Sequence, residues 1–415
     1  MPGVSLDPAD AVVRCDGAWT HAGGARASAV DTGIVAQSHW FRSMHNSRKG
    51  RNSVSAPNET SLTTGGVVGY RRIAAEEAWA PPEMIDLYQR MLGDGVGGPG
   101  FRSLLGHYML SESERPAFVR NRLQDLGEQR LADMDAAGID HAVLSLTSPG
   151  TQALEPDIAR EIATVSNDQL AGACRRYPAR FSGLAAVGFE DVPSAVKELD
   201  RGITELGLKG VICNSHIRGH YLDEPQFYPI LEAIEALDVP LYLHPNTPND
   251  NMIGTLAEAG LDGGIYGFAV ETGMHLLRMI TSGVLDRFPK LRIVVGHLGE
   301  GLPYWLYRLD YMHGGMVASN RYANVKPLQL KVSEYFRRNI WLSSSGMPWA
   351  PPIMFAREVV GPDRLMYAMD YPYQYIHEEV RMQDALPLTV EEKKQFFQDN
   401  AIRVFGLDEA VITAG

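Results

Sequence analysis

The stretch "RLMYAMDYPYQY", residues 364–375, runs from an apolar segment of strand length directly into a carboxylate, Asp370, and then into tyrosine and proline. A buried strand that ends on an ionisable group is costly in an ordinary core, because an unpaired carboxylate loses its hydration there. One architecture removes that cost. In a (β/α)8 barrel the strands open at their carboxyl ends into a polar cup, so a charged residue placed there faces the cup and leaves the core dry. The reading requires seven more such runs, and the chain supplies them: "RIAAEE" (72–77), "HAVLSL" (141–146), "FSGLAAVG" (181–188), "KGVICN" (209–214), "VPLYLH" (239–244), "RIVVGH" (292–297) and "IWLSSS" (340–345). Segments with helical spacing lie between most of them, among them 114–138, 156–178 and 192–207. Eight alternating units, with no glycine-rich dinucleotide fingerprint after the first strand, favour a closed (β/α)8 TIM barrel over an open doubly wound sheet. Residues 245–291, between the fifth and sixth runs, make an insertion long enough to cover the barrel mouth.

Composition narrows the partners. The 415 residues are 45% apolar and 21% charged, with a formal net charge of −12. That balance offers no basic field for nucleic acid, and no uncharged apolar run is long enough to span a bilayer. Cys15, Cys174 and Cys213 are odd in number and lie outside any CxxC pattern, which supports neither a disulfide framework nor a cysteine-based zinc site. A cytoplasmic protein is expected. Residues 1–68 show no sustained apolar period, carry "HNSRKGRNS" at 45–53 and lack the features of a secretory signal. They are read as a disordered extension, with Met44 an alternative start, ahead of one catalytic domain over 69–415. The histidines within it, His21, His39 and His45, are read as solvated.

In the barrel frame, five polar groups fall at strand ends: Glu76 and Glu77 after strand one, His244 after strand five, His297 after strand six and Asp370 after strand eight. Carboxylates and imidazoles without sulfur make a hard-to-borderline donor set for a divalent cation. The residues are far apart in sequence, so only barrel closure brings them together.

The stretches "RIAAEEAWA", "DMDAAGIDHAVLSLTSPG", "LKGVICNSHIRGHYLDE", "LYLHP", "GFAVETGMHLLR", "VVGHLGEGLPYWLYRLDYMH" and "YAMDYPYQY" give the chain from about Gly69 to Gly406 a resemblance. It resembles the metal-dependent aromatic-acid decarboxylase branch of the amidohydrolase superfamily, the branch that includes aminocarboxymuconate semialdehyde decarboxylase. The resemblance implies ligation of one ion, Mn2+ with Zn2+ the alternative, by Glu76, His244 and Asp370. Glu76-Glu77-Ala78 stands where many amidohydrolases carry His-x-His, and strand four ends in Asn214 with no bridging lysine, which argues for a single ion. The implied reaction is non-oxidative loss of CO2 from an ortho-hydroxylated aromatic acid, first of all 5-carboxyvanillate to vanillate. γ-Resorcylate or 2,3-dihydroxybenzoate is the alternative substrate. The implied partners are that small acid and further copies of the chain, as a homodimer or homotetramer.

The chemistry assigns roles. Direct departure of CO2 would leave an aryl carbanion that no side chain stabilises, so the ring carbon has to be protonated first. Asp370, near both ion and substrate, is the expected acid. His297 and Glu300, in "GHLGE", are expected to pair so that the carboxylate orients the imidazole. Arg115 and Arg308 are candidates to hold a second substrate carboxylate, and Tyr373 and His275 are further substrate-binding candidates. Two other classes stay open: a hydrolase of the same fold with Asp370 as base, and a noncatalytic binding protein. Tyr304, Trp305, Tyr307 and Tyr311 crowd one helix, which suggests a subunit contact, with core packing the alternative.

Overall fold

Each of the eight apolar runs forms a parallel strand. In the computed structural model, which describes residues 69–414, they are β1 (Ile73–Trp79), β2 (His141–Leu146), β3 (Phe181–Gly183), β4 (Val211–Asn214), β5 (Pro240–His244), β6 (Arg292–Val295), β7 (Ile340–Ser343) and β8 (Leu365–Met366). The expected extension over 1–68, with its three histidines and Cys15, lies outside the described residues. The strands read as near-continuous apolar runs because helices cover the outside and side chains fill the lumen. Leu241, Leu243, Ile293, Val294, Val295 and Ile340 are all fully buried. Burying one such side chain contributes roughly 1.5–3 kcal/mol.

Regular pairing gives two parallel arcs, β1-β2-β3 and β4-β5-β6-β7-β8. Two seams join them. At the first, Ala185 pairs with Val211, its N–H donates to the Gly210 carbonyl at 2.8 Å, and its carbonyl accepts from Ile212 at 3.0 Å. At the second, the N–H of Ala75 reaches the Tyr367 carbonyl at 2.9 Å and that of Ala78 reaches the Tyr371 carbonyl at 2.7 Å. The ring is closed and exposes no unpaired edge: this is a TIM barrel. The runs expected over 181–188 and 364–370 are strands only at their starts, since beyond Gly183 and Met366 the chain bonds across a seam without a regular ladder. Asn167 helps at the first seam, donating from Nδ2 to the Ala186 carbonyl and accepting from the Ala186 N–H, both at 2.8 Å.

The helix expected over 114–138 is two, Glu114–Leu123 and Glu128–Ala137. Asp125 breaks it, because its carboxylate accepts from the N–H groups of Gly127 (2.9 Å) and Arg130 (3.0 Å) and so starts a new helix. The other two expected helices are Pro156–Arg176 and Val192–Thr204, the second capped by Asp191 on the Ser194 N–H. Cys174 and Cys213 are both free thiols. Among the described residues no helix is long and apolar enough to cross a membrane.

His141 opens β2 with its imidazole locked in one tautomer. Its Nδ1–H donates to the Ala179 carbonyl at 3.0 Å, and Nε2 accepts from the Ser182 hydroxyl at 2.9 Å. Burial, first of all, pushes its pKa down to about 4 from 6.5, so the folded state holds it neutral. A group depressed in the folded state stabilises the fold above its unfolded pKa, and that contribution is lost as the pH falls from 6.5 toward 4. Between pH 7 and 5 His141 alone is expected to cost about 2 kcal/mol of unfolding free energy. Urea unfolding at the two pH values checks this: His141→Gln should show a clearly smaller loss than the wild type, and an equal loss would contradict the assignment.

Candidate metal centre

Glu76 and Glu77 are neighbours with opposite duties. A register shift in the β1–β2 pairing inserts one extra residue between Ala74 and Glu77, and successive side chains on a strand face opposite sides. Glu76 turns into the lumen. Its Oε2 accepts from the Ser343 hydroxyl at 2.7 Å and from the Tyr242 hydroxyl, and those two hydroxyls lie 3.0 Å apart. Gly296, at the end of β6, makes room: a Cβ there would stand 2.5 Å from Glu76 Oε2. Glu77 leaves the cup, which corrects the expectation that both carboxylates face it. Its two oxygens accept from the backbone N–H groups of Met369 and Tyr371 at 2.9 and 3.0 Å.

The remaining oxygen of Glu76, Oε1, is buried without a hydrogen-bond partner. His244 Nε2 faces it at 3.4 Å and His297 Nε2 at 3.8 Å. The His244 Nδ1–H is committed to the Pro245 carbonyl at 3.0 Å, and burial lowers its pKa against the pull of Glu76, so Nε2 carries a bare lone pair. Two acceptors therefore face each other, an arrangement that a cation between them satisfies. Asp370 completes the set, with Oδ2 4.0 Å from His297 Nε2. One donor atom each from Glu76, His297 and Asp370 lie within 4.8 Å of one another. His244 stands beside this trio through its contact with Glu76 Oε1, so the structure brings all four residues to one place at the barrel mouth. Oxygen and imidazole donors without a thiol fit a divalent ion such as Mn2+ or Zn2+.

Electrostatics point the same way. Burial opposes ionisation of Glu76, but His297, His244, Tyr242 and Ser343 together hold its pKa below the usual range. Burial likewise opposes a charge on His297, and Glu300, Glu76 and Asp370 overcome it, raising its pKa to about 10. Asp370 rises to about 7, through burial first and the nearby Glu76, Glu379 and Glu300 carboxylates, against the pull of His297. The mouth is short of positive charge.

The His297–Glu300 pair is formed by an unusual turn. His297, Leu298, Gly299 and Glu300 all have positive φ, between 50° and 77°, and each non-glycine residue there costs roughly 1–2 kcal/mol. This left-handed turn brings Glu300 Oε1 to 2.9 Å from His297 Nδ1. Glu300 does not cap the next helix, Leu302–Ser319, which starts with no side-chain cap. Asp370 also has positive φ, 74°. Gly346 lies beside it, where a Cβ would be 3.4 Å from Asp370 Oδ2.

The other expected site residues separate into two groups. Tyr373 and Arg115 are tied to each other: the Tyr373 hydroxyl bonds Thr147 Oγ1 at 2.7 Å, and the exposed Arg115 guanidinium donates to the Tyr373 carbonyl. Tyr108 packs edge-on against Tyr373 at 5.2 Å, and its pKa, raised by burial, also responds to Arg115 and Asp370. His275 is not in the cup. It is fully buried on the helix Gly267–Thr281, where Nε2 accepts from the Leu222 N–H at 3.0 Å and Nδ1 meets Ser215 Oγ at 3.3 Å, while that hydroxyl bonds Glu271 at 3.2 Å. Both ring nitrogens are used, and burial pushes its pKa down to about 3, so the expected substrate contact gives way to a structural tie between the loops after β4 and β5. Arg308 stands on an exposed face of Leu302–Ser319 and makes no ion pair among the described residues. Tyr304, Tyr307 and Tyr311 on that helix are 75%, 88% and 74% exposed, so packing into the core does not explain them. The sequence reading missed Tyr242 and Ser343. Tyr242 lies two residues before His244, on the same face of β5, which was the available signal.

Comparison with known proteins agrees with this geometry. The model of the family described as Amidohydrolase matches residues 113–407. A γ-resorcylate decarboxylase from Polaromonas sp. is 34% identical over 299 residues, 70% of this chain and 90% of the relative. A 5-carboxyvanillate decarboxylase from Novosphingobium aromaticivorans, solved with manganese and 4-hydroxy-3-methoxy-5-nitrobenzoic acid, is 54% identical with a TM-score of 0.82, covering 83% of this chain and 99% of that one. The 5-carboxyvanillate decarboxylase from Sphingomonas paucimobilis is 37% identical, with a TM-score of 0.77 and coverage of 81% and 99%. With a closed barrel, a cluster of strand-end donors, a family match over residues 113–407 and relatives named as decarboxylases, the chain belongs to the amidohydrolase family.

Proposed function

We propose that the protein is a metal-dependent, non-oxidative decarboxylase of an ortho-hydroxylated aromatic acid, with 5-carboxyvanillate as substrate and Mn2+ held by Glu76, His244 and Asp370, with His297 beside them. The observation that carries this reading is the partnerless Glu76 Oε1 facing His244 and His297, in a chain 54% identical to a 5-carboxyvanillate decarboxylase solved with manganese. When bound, the ion supplies a Lewis acid that anchors the substrate's carboxylate and phenolate. The chain's residues do the rest. Asp370, which stands beside His297 at the mouth of the cup, is the acid and holds the proton. It delivers that proton to the ring carbon bearing the carboxylate, forming a C–H bond. The C–C bond to the carboxylate then breaks, its electron pair restores the aromatic ring, CO2 leaves, and solvent reprotonates Asp370. Glu300 accepts from His297 Nδ1–H, which orients the imidazole and leaves Nε2 facing the cup.

Arg115 is our candidate for the second substrate carboxylate, because it is the arginine of the two that the fold brings beside Tyr373. Arg308 lies on the exposed aromatic helix, which we propose as the contact of a homodimer or homotetramer. γ-Resorcylate is the second substrate reading, favoured by the relative from Polaromonas sp..

Purified protein loaded with Mn2+ and offered 5-carboxyvanillate, 2,6-dihydroxybenzoate and 2,3-dihydroxybenzoate should release CO2 fastest from the first, giving vanillate by mass. Faster turnover of 2,6-dihydroxybenzoate would favour the second reading, and inertness toward all three would overturn both. Arg115→Met should raise KM for 5-carboxyvanillate by roughly 30- to 1000-fold, the range for a lost charged contact, and change it little for an acid lacking that carboxylate. Equal losses would make Arg115 structural. At saturating Mn2+, Asp370→Asn should lose on the order of 100- to 10,000-fold in kcat. In D2O the wild type should place one deuterium on the product ring carbon, whereas a variant that still exchanged that hydrogen at the wild-type rate would remove Asp370 from the acid role.

A further inference from the structure

We propose that Glu77 is a positioning residue that fixes Asp370 in its ion-facing conformation. Asp370 sits between two N–H donors, Met369 and Tyr371, and each donates to a different oxygen of the one Glu77 carboxylate, at 2.9 and 3.0 Å. The group is 2% exposed. Two bonds flank the single residue whose backbone is in the left-handed region, at φ 74°. That conformation is one an aspartate leaves when nothing holds it. Two backbone bonds complete the clamp, from the Ala78 N–H to the Tyr371 carbonyl at 2.7 Å and from the Gln374 N–H to the Asp370 carbonyl at 2.7 Å.

Below the clamp the Arg130 guanidinium is buried, donates to the Ala78 and Asp125 carbonyls at 2.8 Å, and lies over the Tyr371 ring at 4.7 Å. The Tyr371 hydroxyl bonds Asp133 at 2.7 Å. The backbone on both sides of Asp370 is therefore braced from β1 and from the helix Glu128–Ala137, whereas the Asp370 side chain is free to face the cup. A carboxylate is the side chain that meets this geometry, since it offers two acceptors to two donors two positions apart in the chain. Glutamine offers one acceptor and sets its amide NH2 against the other N–H. Aspartate keeps both acceptors but is one methylene short.

The inference rests on the reading that Asp370 ligates the ion, and does not depend on the substrate. Calorimetric titration of Mn2+ into the metal-free full chain tests it in a double-mutant cycle. Glu77→Gln should weaken Mn2+ binding by about 10- to 100-fold, the range found when a partner that orients a ligand is removed. Glu77→Asp should recover part of that loss. In an Asp370→Asn background, Glu77→Gln should change Mn2+ affinity by less than about threefold, because the residue it acts through no longer ligates as a carboxylate. Wild-type affinity in Glu77→Gln, or losses that multiply in the double variant, would overturn the proposal. If Glu77→Gln does not fold, the same cycle is run with Glu77→Asp, and failure of both to fold would overturn it in favour of a purely structural Glu77. Absence of turnover on every acid would count against the substrate reading and leave this measurement intact.

Discussion

The extra residue in β1 is the constraint on which the mouth of the barrel depends. Without it, the pairing that places Ala74 against Ala142 would not place Glu77 against Leu144. A slip of one residue exchanges the two faces of a strand. Glu76 would then lose the lumen, Tyr242 and Ser343, and Glu77 would lose the seam with the chain after β8. The bulge thus lets two adjacent carboxylates serve different purposes, one toward the cup and one toward the backbone that carries Asp370.

From that start the electrostatics follow. Four ionisable side chains, from β1, from β5 and from the turns after β6 and β8, meet at the mouth, with Glu76 buried and the other three partly buried, and the carboxylates nearby include Glu300 and Glu379 as well. Burial penalises every charge in such a place, so each group is held in its state by a specific partner. Tyr242 and Ser343 saturate one oxygen of Glu76 and leave the other bare. Pro245 takes one nitrogen of His244 and leaves the other bare. The bare atoms point at each other, which is why the site reads as a cation site and not as an ion pair.

Strain is concentrated here too. Positive φ at His297, Leu298, Glu300 and Asp370 is the price of aiming a pair of side chains from short turns. The surrounding frame is rigid enough to hold it. Glu77 and Arg130 brace the Asp370 segment, and the buried Ser215–His275–Glu271 network braces the loops after β4 and β5. The insertion after β5 contributes this polar network through its long helix, a role that its length alone did not announce.

Local features were legible in the residues themselves. Eight apolar runs of strand length, the polar residue closing several of them, and the separation by helical segments together determine a barrel with a donor-rich mouth, because strand period and side-chain chemistry are properties of short windows. The three-residue spacing of His297 and Glu300 was likewise visible. What tertiary structure alone decided involves contacts between distant parts of the chain. Tyr242 and Ser343 reach Glu76 across separations of 166 and 267 residues, and no local pattern reports such a pair. The direction of Glu77 depended on a register shift set by pairing with β2, and the burial of His275 on which loop its helix meets. Sequence determines which groups a strand end offers; the closure and register of the barrel determine what each of them faces.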